Sequence, residues 1–436
     1  MRDVVLTAML VAGIIAAIRR PWLGVILWAW VSLMTPHRLT WGFAYSLPWA
    51  QLSVFATFLG MILHWREVKM YWRAPVVLLV VFTLWQCVTY QFSFYPDWSY
   101  EIWTKVLKIN FMILVTIALL HTRQHVEALV WTIVASLGFY GVKGGVFTIL
   151  SGGAHLVFGP ASSFIEGNNE LALAIIMVIP LMYYLRHVSR NKLVRHGLVA
   201  AMLLSVFAAL GTHSRGGLLA MAAMVTFLWF KSPSKLPLGL AIVAAGVLIL
   251  PFMPEQWWTR MSTIDSFEQD GSAMGRINAW WVTWNVANAH FFGGGYQMYS
   301  PQIFARYAPN PLDVHVAHSI YFSALGEHGF VGLALFLWFW IATWREAGWT
   351  RRDPHVRKAP EYEWARMLSR MVQVSAMGYL VGGAFASLTY YDLPYYLMAI
   401  LVIMRHAITA ERPVSAASHV PPIGRQPAIA RVTGSS

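Results

Sequence analysis

The chain has 436 residues and a formal net charge of +13 at pH 7; 58% of it is hydrophobic, 15% aromatic and only 12% charged. Soluble domains carry about 25% charged residues, so a soluble globular protein is excluded, and long apolar runs broken by short polar segments define a polytopic membrane protein. Most of the basic excess lies in short loops between apolar segments, where Lys and Arg set topology, which removes nucleic acid as the partner that a basic chain first suggests.

The segment 4–18 resembles a signal peptide, but it ends in Arg19-Arg20-Pro21 without a small-residue cleavage pattern and another apolar run follows at once; it is read as a retained span. Apolar runs continue at 22–34, 49–63, 75–91, 106–120, 126–150, 171–185, 198–211, 216–230, 236–252, 319–343, 367–388 and 393–404. The expected fold is all-α, a polytopic integral membrane protein with 12 or 13 transmembrane helices. Several runs fall short of the roughly 20 residues that cross a bilayer upright, so their helices must reach into the loops. The single cysteine, Cys87, lies inside an apolar run and has no intrachain disulfide partner.

Arg66, Lys69 and Arg73 mark one set of loops, which continues through Arg186, Arg190, Lys192 and Arg195, then Lys231 and Lys235, then Arg345, Arg351, Arg352, Arg357, Lys358 and Arg366. The alternate loops are poor in Lys and Arg; 151–170 has none. The positive-inside rule puts the first set in the cytoplasm. The chain then divides into an N-terminal bundle at 1–252, a long outward loop at 253–318, C-terminal spans at 319–404 and a Pro/Ala/Ser-rich cytoplasmic tail at 405–436 expected to be disordered. No internal repeat is evident, which argues against a transporter.

Charged and imidazole groups at the outer side or inside spans are costly and therefore informative: an Arg near mid-bilayer costs about 2.5–3.5 kcal/mol on insertion scales. Thr212-His213-Ser214-Arg215-Gly216-Gly217 is a short outward hairpin whose Arg215 offers a guanidinium fork matched to phosphate, or else anchors a helix end at the interface. Within the long loop, Ile277, Trp280, Trp281 and Trp284 recur at helical spacing, predicting an amphipathic helix over 275–289 lying on the outer interface. Arg276 sits in its first turn, where unpaired N–H groups already favour an anion, and Arg260 is a second basic candidate; both could equally be solvated loop charges. His318, at the mouth of the span that follows, suits a general base or a helix cap, and His315 three residues earlier raises a weak alternative of metal chelation.

Glu327, roughly 13 Å further along that span at 1.5 Å per residue, is an intramembrane carboxylate that needs a partner, with Arg215, His328 or Lys143 available. Lys143 reads as a buried cation with a structural or lipid-phosphate role. Asn168 and Asn169, in Glu166-Gly167-Asn168-Asn169-Glu170, either bind sugar hydroxyls or cap the next helix.

At these residues the sequence resembles the O-antigen ligase and polymerase superfamily of bacterial envelope glycosyltransferases. Members carry a Ser-Arg-Gly hairpin, here Ser214-Arg215-Gly216; then an Arg and Trp four apart ahead of a Gly-rich turn, here Arg276, Trp280 and Gly293-Gly294-Gly295. A His-Asn or His-Ser then opens a span with Glu-x-Gly, here His318-Ser319 and Glu327-His328-Gly329. The N-terminal third, with Pro36-His37-Arg38 and Gly167-Asn168-Asn169, looks most like a branch described as O-glycosylation ligases.

The resemblance implies a helical fold of the C type among glycosyltransferases, with a long periplasmic loop containing amphipathic helices. It implies an O-antigen ligase of the bacterial inner membrane that uses no metal and no cofactor. The donor would be a glycan on undecaprenyl diphosphate and the acceptor a hydroxyl of lipid A-core oligosaccharide. His318 would deprotonate the acceptor, transfer would invert the anomeric centre, and Arg215 and Arg276 would hold the diphosphate. A protein acceptor or the growing glycan remains open within the same chemistry. A lipid-linked glycan transporter is the alternative from another class; the outward clustering of its cations favours an enzyme. Arg215, Arg276 and His318 must meet in one hollow for this reading to hold.

Overall fold

The structure is a computed structural model that describes residues 1–232, 234–262 and 271–411. Among these residues there are helices and turns and no strand. In chain order the helices are α1 (Arg2–Arg19), α2 (Pro21–Met34), α3 (Trp49–Leu63), α4 (Ala74–Tyr90), α5 (Pro96–Leu119), α6 (Arg123–Leu150), α7 (Asn168–Val188), α8 (Lys192–Gly211), α9 (Arg215–Lys231) and α10 (Lys235–Ile249). The long connection carries α11 (Glu255–Ser262), α12 (Gly271–Ala289) and α13 (Pro301–Tyr307). Then come α14 (Ile320–Ala347), the short α15 (Trp349–Arg352) and α16 (Pro354–Lys358), and finally α17 (Glu363–Gly382) and α18 (Asp392–Ala410).

Each apolar run read from the sequence coincides with a helix over most of its length. Seven segments are long and apolar enough to cross a membrane: α5, α6, α7, α8, Lys235–Phe252, Ile320–Arg352 and α18. α2, α3 and α4 are shorter apolar helices. The chain is a multi-pass membrane protein. Length and composition alone therefore support fewer crossings than the expected 12 or 13, because the remaining helices are short or interrupted by charge.

The bundle has two chemically distinct ends. At one, Lys69 N–H donates to Ala118 O at 2.9 Å, the Arg123 guanidinium lies over Trp364, His187 meets Glu363 at 3.5 Å, and Arg405 pairs with Glu346 at 2.9 Å. The Lys- and Arg-rich loops gather here. At the other, Phe94 N–H donates to Gly294 O at 2.9 Å and Ser387 N–H to Glu170 Oε1 at 3.1 Å. The Arg215 hairpin, the long connection and His318 belong to this second end. α7 and α18 are the enclosed centre, with 72% and 78% of their spans buried against 28% for α8. Side chains at the second end of these two helices are thus held by protein on most sides.

Three expectations change. α12 packs on another helix: its buried face is Gly275, Asn278, Ala279, Val282, Thr283 and Val286, set along the first half of α14, where Thr283 lies against Gly326. Small and β-branched residues permit that approach, and the indoles of Trp281 and Trp284 are left 52% and 45% exposed. The run 367–388 is not one helix, because α17 stops at Gly382 and a 3-10 turn (Gly383–Phe385) leads into extended chain. The tail begins later than position 405, since α18 continues to Ala410; residues 412–436 lie outside the described residues.

Candidate active site

The hairpin between α8 and α9 is fixed from three directions. Ser214 caps α9: its hydroxyl accepts from Gly217 N–H at 3.0 Å and donates to Asn169 Oδ1 at 2.8 Å. Asn168 Nδ2 donates to Thr212 O at 2.8 Å, so the first turn of α7 is stitched to the hairpin. Arg260 Nε donates to His213 O at 3.0 Å from α11. Asn168, Asn169 and Arg260 are thereby committed to holding the loop, and Arg215 stands at the first position of α9 on this braced turn. Gly216 packs on Phe385 so closely that a Cβ would come within 2.9 Å of the Phe385 Cβ.

α12 reaches the same residue through the turn that follows Arg276. One turn after it, Trp280 stacks on Phe322 with centroids 4.8 Å apart, donates its indole N–H to Ala317 O at 2.7 Å, and lies 6.4 Å from the Phe385 ring. Residues four apart share a helix face, so Arg276 and Trp280 rise from α12 on one side. His315 crosses over Gly275, where a Cβ would be 2.4 Å from the imidazole, and its Nε2 meets Asp313 Oδ1 at 2.7 Å. His315 therefore braces the start of α12.

His318 meets the same turn at Ser387, two residues after Phe385. Its Nδ1 lies 3.0 Å from Ser387 Oγ and 3.5 Å from Glu170 Oε1, while Ser387 N–H donates to that same carboxylate oxygen. The ring is 34% exposed and the Glu170 side chain only 10%. His318 also takes a left-handed backbone with φ 43°, a conformation that costs a residue with a Cβ about 1–2 kcal/mol. Ser319 then caps α14. A buried carboxylate beside Nδ1 favours the proton on that nitrogen and leaves the Nε2 lone pair to accept one.

Deeper in α14, Glu327 is buried, and its partner is Tyr390, whose hydroxyl donates to Oε2 at 2.5 Å. The same hydroxyl is 2.7 Å from His328 Nε2, and His328 Nδ1 is 2.7 Å from Thr89 Oγ1. Burial first, and then the Glu327 charge, push the Tyr390 phenol well above its ordinary pKa, which keeps it a proton donor. Of the three partners open from sequence, His328 joins this chain, through Tyr390. Lys143 is exposed on α6 rather than buried.

α14 is broken where this chain sits. Gly329 has φ 69° and ψ −175°, and Gly294 and Gly295 donate their N–H groups to the carbonyls of Gly326 and Glu327 at 2.8 and 3.0 Å. The Gly-rich turn thus satisfies the backbone acceptors that the break in α14 exposes, as buried membrane helices require. Glu327, Tyr390, Ser387 and Phe164 line a cavity of about 430 Å³ beside His318.

The turn that carries Phe385 and Ser387 is therefore met by Gly216 of the hairpin, by Trp280 of α12 and by His318, with Glu327 further along α14. Glu170, Ser387 and Tyr390 were missed as site residues. A polar run at 386–392 between two apolar helices was the available signal. Among the described residues no group of three or more His, Cys, Asp or Glu is arranged to hold a metal.

Two family models match the chain. Residues 200–337 match the model described as O-Antigen ligase, and residues 1–190 match a family of unknown function (DUF5935). The first spans Arg215, Arg260, Arg276, His318 and Glu327; the second contains Asn168, Asn169 and Glu170. No curated protein matches the chain.

Proposed function

We propose, for a chain that carries the O-antigen ligase domain and so belongs with the O-antigen ligase and polymerase superfamily, that it transfers a glycan from undecaprenyl diphosphate to a hydroxyl of lipid A-core. The transfer takes place at the periplasmic face of the bacterial inner membrane. The observation that carries the reading is the setting of His318: Nδ1 held between Ser387 and Glu170, beside the turn on which the Arg215 hairpin and α12 converge.

In this reading His318 Nε2 takes the proton of the acceptor hydroxyl as its oxygen bonds to the anomeric carbon. The bond from that carbon to the lipid diphosphate breaks on the opposite face, with inversion, and its electron pair leaves with the diphosphate. Arg215 and Arg276 stabilise the charge that develops there, a role for which charged donors are strongest in a water-poor site. The lipid diphosphate is already an activated leaving group, so the chemistry calls for no metal and no nucleotide. In this reading the basic loops at the opposite end of the bundle face the cytoplasm, which the positive-inside rule supports.

The deciding experiment is purified full-length protein in proteoliposomes with undecaprenyl-diphosphate glycan, offered lipid A-core, a pilin-like protein or free glycan in separate reactions. Transfer to lipid A-core is expected. Transfer only to the protein or only to the glycan replaces the ligase by an oligosaccharyltransferase or a polymerase, and donor translocation without transfer replaces the enzyme by a transporter.

A further inference from the structure

A second hollow opens at the same end of the bundle, in the N-terminal region. It holds about 550 Å³ and is lined by Arg38 from the turn after α2, and by Lys105 and Lys108 from α5. One wall is apolar, formed by Trp28, Val54 and Phe55. Phe55 is 71% exposed, so that wall continues onto the outside of the bundle.

Its electrostatics are cationic and incompletely matched. Among the described residues, Arg38, Lys105 and Lys108 form no ion pair. The acidic groups nearby are Glu101, which lines the hollow, and Asp392, whose carboxylate is bound by the Ser32 hydroxyl. Both act on Lys105 only at longer range. The His37 Nδ1 is buried at this hollow with no hydrogen-bond partner among the described residues. Three cations, an unpaired ring nitrogen and an apolar wall fit an amphiphile with a phosphorylated head: ammonium and guanidinium groups take phosphate oxygens, and the wall takes an acyl chain.

The hollow is also next to the transfer site. Phe164 lines both it and the cavity that contains Glu327, Ser387 and Tyr390. Lys105 Nζ sits 4.0 Å above the Phe164 ring, which lies 6.2 Å from the Tyr391 ring. A phosphate on Lys105 is therefore one aromatic side chain from the cavity beside His318. The Arg215 and Arg276 cluster is on α9 and α12, separate from this wall of α2, α3 and α5.

We propose that this hollow is a second anion site, which anchors the phosphorylated headgroup of a membrane lipid while its sugar reaches past Phe164 to His318. Its identity as the acceptor site rests on the transferase reading above; the binding itself does not.

The test uses the full-length chain in nanodiscs of zwitterionic phosphatidylcholine and reads binding alone. Bisphosphorylated lipid A, the same lipid after phosphatase treatment, and inorganic pyrophosphate are titrated separately. The bisphosphorylated lipid is expected to bind at least tenfold more tightly than either of the others. The triple substitution Arg38→Gln, Lys105→Gln, Lys108→Gln is expected to erase the preference. Lys105→Arg with Lys108→Arg, and separately Arg215→Ala with Arg276→Ala, are expected to keep it. Equal affinity for the two lipids, or an undiminished preference in the triple variant, overturns the site. Pyrophosphate binding as tightly as the lipid makes it a soluble-anion site and overturns the lipid assignment. A preference lost with Arg215 and Arg276 assigns the phosphates to the donor cluster and overturns a second site. A protein that shows the preference yet transfers nothing refutes the transferase reading alone.

Discussion

Fixing one imidazole takes residues from three distant parts of the chain. Ser387 is 69 residues from His318 and 217 from Glu170, yet all three meet at one ring nitrogen. A general base contributes about 10²–10⁴ in rate, so His318→Ala is expected to abolish transfer in proteoliposomes while donor binding persists. Glu170→Gln keeps an acceptor for Ser387 N–H but removes the negative charge. It is expected to lower kcat by about 10²-fold with little change in KM, since a carboxylate that orients a histidine acts on the chemical step. A matched rise in KM with kcat unchanged would make Glu170 a scaffold residue only. Arg215→Ala and Arg276→Ala are each expected to cost about 10²–10³ in donor turnover, the usual effect of removing one group that stabilises developing charge; normal turnover in both would end the diphosphate assignment. The arginines and His318 were legible in the sequence because a charged residue in a short loop beside apolar spans is conspicuous. Glu170, Ser387 and Tyr390 were not, because ordinary polar residues acquire a role only when folding brings remote segments together.

At the scale of elements, the break in α14 matters most. The run 319–343 looks continuous, since a glycine inside an apolar stretch has no signature that separates a tight crossing from a left-handed residue. The Gly-rich turn and the Glu-x-Gly segment were read as separate motifs; the hydrogen bonds from Gly294 and Gly295 to Gly326 and Glu327 make them one structure. Gly329 is required there. An added Cβ would lie 2.2 Å from Phe291 O, and φ 69° costs another residue about 1–2 kcal/mol before that overlap. Gly329→Ala is expected to lower the unfolding midpoint in detergent by more than about 2 °C and to disturb the Glu327–Tyr390 contact, with loss of transfer. Gly197→Ala in α8, where nothing lies within 4 Å of an added Cβ, is the control, expected to hold or gain stability. Equal midpoints for the two variants would show that the break carries no cost to fill. α12 was misread for a related reason. Four bulky residues at helical spacing dominate its pattern, whereas the face that packs is made of small residues that hydropathy weights lightly.

For the whole molecule, the distribution of charge across loops anticipated the two ends of the bundle more surely than hydropathy anticipated the number of crossings. Short helices such as α2 and α3 pass below the length a bilayer asks for, but a basic loop is unmistakable at any length. Orientation can be tested directly because the chain has one cysteine, Cys87, which a Cys87→Ser background removes. Leu312, between α13 and α14, is 94% exposed at the end that holds His318; Leu193, at the start of α8, is 81% exposed beside Lys192 and Arg195 at the basic end. In spheroplasts treated with a membrane-impermeant maleimide, Leu312→Cys is expected to label at once. Leu193→Cys is expected to label only after the membrane is permeabilised. The reverse pattern would put the Arg215–Arg276–His318 cluster in the cytoplasm. There nucleotide sugars are at hand and a lipid diphosphate donor loses its rationale, so the proposed chemistry would fail together with the topology.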